Sequence, residues 1–374
     1  MYRLEVKNIT KKYGKLTAVN NLSFNCEEGE TVVLLGPTGA GKTTTLRCLS
    51  GLETLTEGEI FLDGNNISLL PPNKREVAMF FENYALYPHF TVRENMAYPL
   101  KSPNMKGHFT EKEIAQRVEE VAELLQIPEL LERKVDQLSG GQKQRTALGR
   151  TLVRKPKVFL LDEPIAHLDA VLRHRMRGEM KRIFQELKCT VVYVTHDYKE
   201  ALSIGDKILV IKKGELVQLG NSEDIWTRMK DIFVAKMIGD PPMNFLQGIL
   251  KKEGENYLVD LPKIKSKINF DSKEEILNGE KEIEVLMGVR PTDVSILHEK
   301  KPNSLSCQLS VVEPISSNYE VTLSLPDKNT FKIKTKKNYE KYLDQDVWVR
   351  IDPAKMYLFN PQDGEAIYHG KGNL

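Results

Sequence analysis

The stretch Gly36-Pro37-Thr38-Gly39-Ala40-Gly41-Lys42-Thr43 constrains this chain more than any other, because it fits G-x-x-x-x-G-K-[ST] and joins two segments of different texture. Ahead of it, Thr31-Val32-Val33-Leu34-Leu35 is a short apolar run of the kind a buried parallel strand requires. Behind it, Thr43-Thr44-Thr45-Leu46-Arg47-Cys48-Leu49 reads as a helix. A strand that turns through glycines into a helix aims the helix's free N–H groups, and the positive end of its dipole, at an anion. The glycines let the backbone approach without a Cβ in the way. A phosphate-cradling loop from Gly36 to Thr44 is therefore expected, with Lys42 reaching the β- and γ-phosphates and the Thr43 hydroxyl holding Mg²⁺. The fold class that follows is α/β, built on a mostly parallel sheet.

Two further segments add chemistry. Val158-Phe159-Leu160-Leu161-Asp162-Glu163 is an apolar run ending in two carboxylates, which suits a central strand whose C-terminal end faces a ligand. Asp162 is placed to bind Mg²⁺ through water, and Glu163 to polarise an attacking water. An isolated Asp-Glu pair before Pro164 would read as the start of a turn, but beside a phosphate loop it reads as part of a site. Between the two lies Leu138-Ser139-Gly140-Gly141-Gln142, whose hydroxyl and closely spaced N–H groups suit a second set of phosphate contacts. Together these parts describe a machine that closes around ATP.

In the order and spacing of these motifs the chain resembles the ATPase subunits of ATP-binding-cassette transporters, over about residues 3 to 236. The resemblance implies roles for residues that each have a plainer reading alone. Tyr13, in Lys12-Tyr13-Gly14, falls where the family stacks an aromatic ring on adenine; alone it reads as a core aromatic. His196, in Val194-Thr195-His196-Asp197, falls where a switch histidine touches the γ-phosphate; alone it reads as a satisfied strand-end histidine. Asp169, in Ala166-His167-Leu168-Asp169, falls in the loop through which two subunits communicate; alone it reads as a helix N-cap. The resemblance also implies head-to-tail pairing, with Ser139 and Gly141 of one subunit contacting the γ-phosphate held by Lys42 and Glu163 of the other. Monomers should then hydrolyse poorly.

One position departs from the family's pattern. Glu82, in Phe81-Glu82-Asn83-Tyr84, stands where the family carries a Gln whose carbonyl oxygen binds Mg²⁺ and senses the γ-phosphate. A carboxylate still binds a hard cation, but it adds negative charge near the triphosphate and gives up the amide donors. Catalysis is expected to suffer more than nucleotide binding, the alternative being that Glu82 is a tolerated near-isostere of Gln. A homodimer carries the substitution at both sites; a heterodimer with a Gln-bearing paralogue leaves one site standard, and in such a pair this chain can serve as a slow, allosteric half. Ala166-His167 also differs from the small polar pairs usual in that loop.

Between the phosphate loop and Ser139, residues 111 to 131 carry Ile114, Val118, Val121, Leu124 and Leu125 at helical spacing. The resemblance assigns them to a helical subdomain at about 83–155 that presses on a cytoplasmic loop of a permease. Tyr84, Leu86, Tyr87 and Pro88 are the expected docking patch, internal packing being the alternative. After Asp169, Leu172, Met176, Met180, Ile183, Phe184 and Leu187 form an apolar stripe. Arg173, Arg175, Arg177, Lys181 and Arg182 fall largely off it and read as a solvated face.

Near Gly239-Asp240-Pro241-Pro242 the helical pattern breaks, dividing a nucleotide-binding domain at 1–236 from a tail at 241–374. Alternating runs at 283–286, 309–312, 320–325, 331–335 and 347–351 predict a small all-β barrel or sandwich. Pro241-Pro242-Met243-Asn244-Phe245-Leu246 and Gly288-Val289-Arg290-Pro291 resemble motifs of the OB-like (TOBE) regulatory tail of sugar-importer ATPases. That likeness points to the maltose-importer branch, which moves sugars, polyols and glycerol phosphates.

Composition limits the partners. Lys plus Arg number 54 against 52 Asp plus Glu, a balance that gives no basic face for nucleic acid. Cys26, Cys48, Cys189 and Cys307 are scattered, so neither a zinc site nor a disulfide framework is expected. No apolar run approaches a membrane span and the N-terminus lacks a signal peptide's apolar stretch, so membrane association must come through partners. The resemblance supplies them: two transmembrane permease subunits, a second ATPase subunit, and indirectly an extracytoplasmic solute-binding protein. The expected location is peripheral, on the cytoplasmic face. A non-transport cassette ATPase acting in translation or DNA repair is the other class; those usually carry two cassettes or a coiled-coil insertion, and neither repeat nor heptads occur here.

Overall fold

The computed structural model describes residues 2–81, 84–102, 108–166, 168–272, 275–277 and 279–370. Two compact units divide after Ser222. In the first, strands β1 (Tyr2–Tyr13), β2 (Leu16–Glu27), β3 (Thr31–Leu35), β4 (Glu57–Leu62), β5 (Asn65–Asn66), β6 (Val77–Phe80), β7 (Val158–Asp162), β8 (Val191–Thr195), β9 (Lys207–Lys212) and β10 (Glu215–Gly220) form two sheets. One is antiparallel, in the order β2-β1-β4-β5; the other runs β10-β9-β3-β8-β7-β6 and is parallel except at β10. Every residue of β3, β7 and β8 is buried, which is why their sequences are unbroken apolar runs rather than alternating ones. Val32, Leu34, Leu160 and Val192 share one core with Leu4, Val6, Ile9 and Ile60 of the antiparallel sheet.

Among the described residues of this unit the α-helices are α1 (Lys42–Ser50), α2 (Val92–Ala97), α3 (Glu111–Leu124), α4 (Gly140–Leu152), α5 (Ala170–Glu186) and α6 (Tyr198–Ile204). α3 starts at a capping box, with the Glu113 N–H donating to the Thr110 hydroxyl (3.2 Å) and the Thr110 N–H to the Glu113 carboxylate (2.7 Å). It buries Ile114, Val118 and Val121, as their spacing predicts. The stripe on α5 is shorter than its sequence suggests. Met176, Met180, Ile183 and Phe184 are buried, but Leu187, at the C-cap, is 47% exposed. Nor is the basic set on α5 wholly solvated: Arg173 donates to the carbonyls of Ala166 (2.7 Å) and Leu168 (2.9 Å), so it braces the loop after β7. No described helix is long and apolar enough to cross a membrane.

The second unit holds α7 (Ser222–Thr227), which begins at the division, α8 (Ile232–Met237), and strands β11 (Asn244–Glu253), β12 (Asn256–Leu261), β13 (Ser266–Asp271), β14 (Glu282–Val289), β15 (Val294–Leu297), β16 (Ser304–Ile315), β17 (Asn318–Ser324), β18 (Thr330–Thr335), β19 (Asp346–Ile351), β20 (Met356–Phe359) and β21 (Ala366–His369). They make two antiparallel sheets, β13-β12-β11-β14-β20-β21 and β15-β19-β16-β17-β18. Leu250, Val259, Met287, Leu305, Val321, Phe331 and Val349 from both sheets share one core, so the expected all-β unit is a two-sheet stack. The five alternating runs lie in β14, β16, β17, β18 and β19. The division falls ahead of the 236–241 junction read from sequence, and Arg290 supplies the reason. This buried guanidinium lies 3.9 Å from the Trp226 ring and donates to the carbonyls of Trp226 (2.6 Å) and Ile238 (3.2 Å). His369 contacts the Met229 carbonyl at 2.9 Å, and the Ile232 N–H donates to Gly364 at 2.9 Å. The two short helices are thereby tied to the strands that follow.

Candidate functional site

The site sits where β3, β7 and β8 end. Gly41, at φ 99°, is the N-cap of α1 and gives no side-chain cap, so the first N–H groups of that helix are open to a ligand. A Cβ there would lie 2.2 Å from the Ala18 carbonyl oxygen, and one on Gly36 would lie 2.4 Å from that of Ile211. Both positions therefore need glycine for space, and Gly41 also for its conformation. Lys42 is only 5% exposed, its Nζ donating to the carbonyls of Gly36 (2.9 Å) and Pro37 (3.1 Å). The ammonium is thus held over its own loop.

Thr43 Oγ1 donates to Asp162 Oδ1 at 3.1 Å, which places the first residues of α1 against the end of β7. Asp162 is 4% exposed. Glu163 adopts φ 47°, a left-handed conformation that a non-glycine residue keeps only under constraint, and its N–H donates to Val194 at 3.0 Å. The turn brings Glu163 Oε2 to 3.0 Å from His196 Nδ1, so the two residues read from separate strands meet. Both line a cavity of about 900 Å³ together with Tyr13, Lys42, Thr43 and residues 38–41 and 44 of the loop. The donor set is all hard oxygen, and among the described residues no group of three or more His, Cys, Asp or Glu could hold a metal by itself. A cation at Thr43 and Asp162 would keep waters and take phosphate oxygens, the habit of Mg²⁺.

A buried hydrogen-bonded pair joins β8 to α6, on either side of His196 in sequence. Tyr193 donates its hydroxyl to Glu200 Oε2 (2.9 Å), and the Thr195 hydroxyl accepts the Asp197 N–H at 3.0 Å. Glu200 is 2% exposed, and its burial raises the carboxyl above its ordinary value despite hydrogen bonds from Thr195 and Tyr193. Burial next to that carboxylate pushes the Tyr193 phenol well up too.

Other sequence-derived candidates lie elsewhere. Ser139 is the N-cap of α4 in a capping box: it accepts from the Gln142 N–H at 3.4 Å, and the Gln142 side chain accepts from the Ser139 N–H at 3.0 Å. Gly140 and Gly141 form the first turn, and a Cβ on Gly141 would come 3.2 Å from Leu168 and Leu172. Ser139, Gly140, Gly141 and Gln142 are not among the residues lining the cavity, and neither is Asp169. Asp169 caps α5, accepting from the Leu172 N–H at 2.9 Å. Glu82, Asn83 and His167 lie outside the described residues. In the expected docking patch Tyr84, Leu86 and Tyr87 are half-buried and Pro88 is exposed. Tyr87 packs on Phe90 and Tyr98 at 5.3 and 4.6 Å between ring centres, and Arg150 holds the Tyr84 and Ala85 carbonyls at 2.7 and 2.6 Å.

Sequence reasoning missed Lys11 and Glu53 beside Tyr13, Gln144, which donates from α4 to the Pro164 carbonyl after Glu163, and Glu200. Each carries no motif of its own; only a polar residue on an otherwise apolar helix face, as Glu200 and Gln144 are, offered a signal.

Comparison with known proteins converges on one family. A family model described as ABC transporter matches residues 19–166. The chain is 40% identical to the trehalose/maltose import ATP-binding protein of Thermococcus litoralis, over 98% of this chain and all of that one. It is 44% identical to an sn-glycerol-3-phosphate import ATP-binding protein of Rhizobium etli, over 66% of this chain and 70% of that one. Among solved structures, a dimeric bacterial ABC transporter cassette is 32% identical with a TM-score of 0.54, covering 59% of this chain and 98% of that one.

Proposed function

The chain belongs to the ABC transporter family, and on that premise we propose that it is the ATP-hydrolysing subunit of an importer for a carbohydrate, polyol or glycerol phosphate. One observation carries the reading: likeness to the trehalose/maltose import protein runs through 98% of the chain, past the cassette and into the β unit. Sharing the cassette alone would leave the cargo open.

In this reading ATP enters the cavity with adenine against Tyr13 and its phosphates in the loop from Gly36 to Thr44. Lys42 leaves the Gly36 and Pro37 carbonyls, which are 2.9 and 3.1 Å away, for the β- and γ-phosphate oxygens. Thr43 and Asp162 hold Mg²⁺, which when bound offsets charge on the phosphate oxygens. Glu163 takes a proton from the attacking water, and His196, 3.0 Å away, orients that carboxylate beside the γ-phosphate. The α4 N-terminus does not line its own chain's cavity. Ser139 and the Gly141 N–H therefore serve the nucleotide of a second ATPase subunit, packed head to tail, with Asp169 near the junction.

Two permease subunits dock on the helical segment around Tyr87, placing the chain on the cytoplasmic face of the membrane, and an extracytoplasmic binding protein delivers the solute. Glu82 favours pairing with a Gln-bearing paralogue over self-pairing, since one site then lacks the added carboxylate. Isolation of the tagged chain with its native partners tests the whole assignment. Recovery of permeases and a solute-binding protein is expected, and native mass spectrometry of that complex counts the ATPases. Recovery of a ribosomal or DNA-repair assembly without permeases would refute import.

A further inference from the structure

Beside Tyr13 lies a charge pair that no motif contains, a buried Lys11 with a half-buried Glu53. Lys11 is 8% exposed; its Nζ is 2.9 Å from Glu53 Oε2, donates to the Thr54 carbonyl at 2.9 Å, and sits 4.8 Å from the centre of the Tyr13 ring. Burial and the nearby Glu53 carboxylate both raise the Tyr13 phenol above its ordinary value. The phenol thus has the Glu53 carboxylate close by, and one ring face carries the Lys11 ammonium. Tyr13 lines the cavity and Lys11 does not, so the face left free is the one turned to the ligand. Glu53 is in turn fastened to the phosphate side, its N–H donating to the Arg47 carbonyl of α1 at 3.1 Å.

We propose that Glu53 and Lys11 are positioning residues that lock the Tyr13 ring as a preformed stacking platform for the nucleobase, and so set affinity for the base without touching the phosphates. This rests on Tyr13 being the adenine contact. A tyrosine 42% exposed on a strand end is otherwise free to turn about χ1, and stacking on a mobile ring loses the entropy of stopping it. The ammonium under one face adds a cation–π contact and fixes the ring plane. Hydrogen bonding to Lys11 lowers the Glu53 carboxyl and raises the Lys11 ammonium, so the pair stays charged through the neutral range.

The test separates base from phosphate. Full-length chains carrying Glu53→Gln, Lys11→Met or Tyr13→Ala are titrated with ATP and with inorganic tripolyphosphate, which has no base, and turnover is measured at saturating ATP. Glu53→Gln and Lys11→Met are each expected to weaken ATP binding about three- to tenfold. Tripolyphosphate affinity and saturated turnover stay unchanged, and neither variant has a further effect in the Tyr13→Ala background. Equal weakening for ATP and tripolyphosphate would mean that the pair acts on the loop or on folding, and overturns the proposal. If Tyr13→Ala weakens ATP but the two pair variants do not, the platform claim alone fails. If Tyr13→Ala leaves ATP binding intact, the adenine assignment beneath it fails. Should Lys11→Met not fold, Lys11→Arg keeps the pair and is expected to bind ATP as the parent does.

Discussion

Two helices in this molecule begin with glycine-rich turns that sequence marks as phosphate sites, and they begin in opposite ways. α1 starts at Gly41 with no side-chain cap, buried against β7, with Lys42 over the loop. α4 starts at Ser139 with its cap made by its own residues, in an exposed turn that does not line the cavity. The first is preorganised: its open N–H groups and its neighbouring carboxylates already surround a ligand-sized space. The second is satisfied without any ligand, so a phosphate gains little by reaching it unless another surface brings the phosphate there. That asymmetry is what a site shared between two ATPase subunits requires.

Each half of the comparison can be broken separately. The largest effect is expected at the catalytic end of the open half. Glu163→Gln should lower turnover in the assembled transporter by about 10²–10⁴-fold while ATP still binds, because an amide cannot take the water's proton. Turnover at the parental rate would remove Glu163 from its role. Lys42→Ala comes next: losing a charge-assisted phosphate contact of about 1.5–3 kcal/mol should raise the ATP Kd roughly ten- to hundredfold in fluorescence titration. Ser139→Ala strikes the closed half. It should cost about 1 kcal/mol of stability or less by chemical denaturation, since the cap bond is long at 3.4 Å, and leave ATP binding by the single chain unchanged. Its cost should appear in turnover of the assembled pair.

The smallest effect concerns the buried Tyr193–Glu200 pair that joins β8 to α6. The folded-state carboxyl of Glu200 is raised, so its ionisation opposes folding. That cost is absent below the ordinary value of 4.5, where the group is protonated in both states, and grows as pH rises through that value toward the folded one. Glu200→Gln should therefore gain stability relative to the parent at pH 7, and melting curves should show the gain shrinking as pH falls toward the ordinary value of 4.5 and vanishing below it. A difference independent of pH would mean that the gain, if any, comes from packing.

The two halves also differed in how they could be read. The phosphate loop, β7 and β8 were legible because burial on both faces and the need for Gly36 and Gly41 leave unmistakable residue patterns. The Leu138–Gln142 segment was legible as a phosphate-contacting turn, but that it opens α4 with a cap made by its own residues was not, since a cap is a matter of local geometry. The tail's alternating runs announced β14 and β16–β19; β20, wholly buried, has no alternation to detect, and β13, which does alternate, was overlooked. The start of the second unit was hidden because Arg290 recruits α7 and α8 across a long sequence gap. Tyr13 was found through resemblance, while its supports Lys11 and Glu53 meet only on folding.

The central claim, that one chain holds half of a hydrolytic site, is tested most directly by turnover per chain as a function of chain concentration, measured on the isolated protein with saturating Mg-ATP. The account predicts that ATP stays bound on dilution while turnover per chain falls toward zero as sedimentation shows the protein becoming monomeric. Turnover that persists undiminished in the monomer would contradict it.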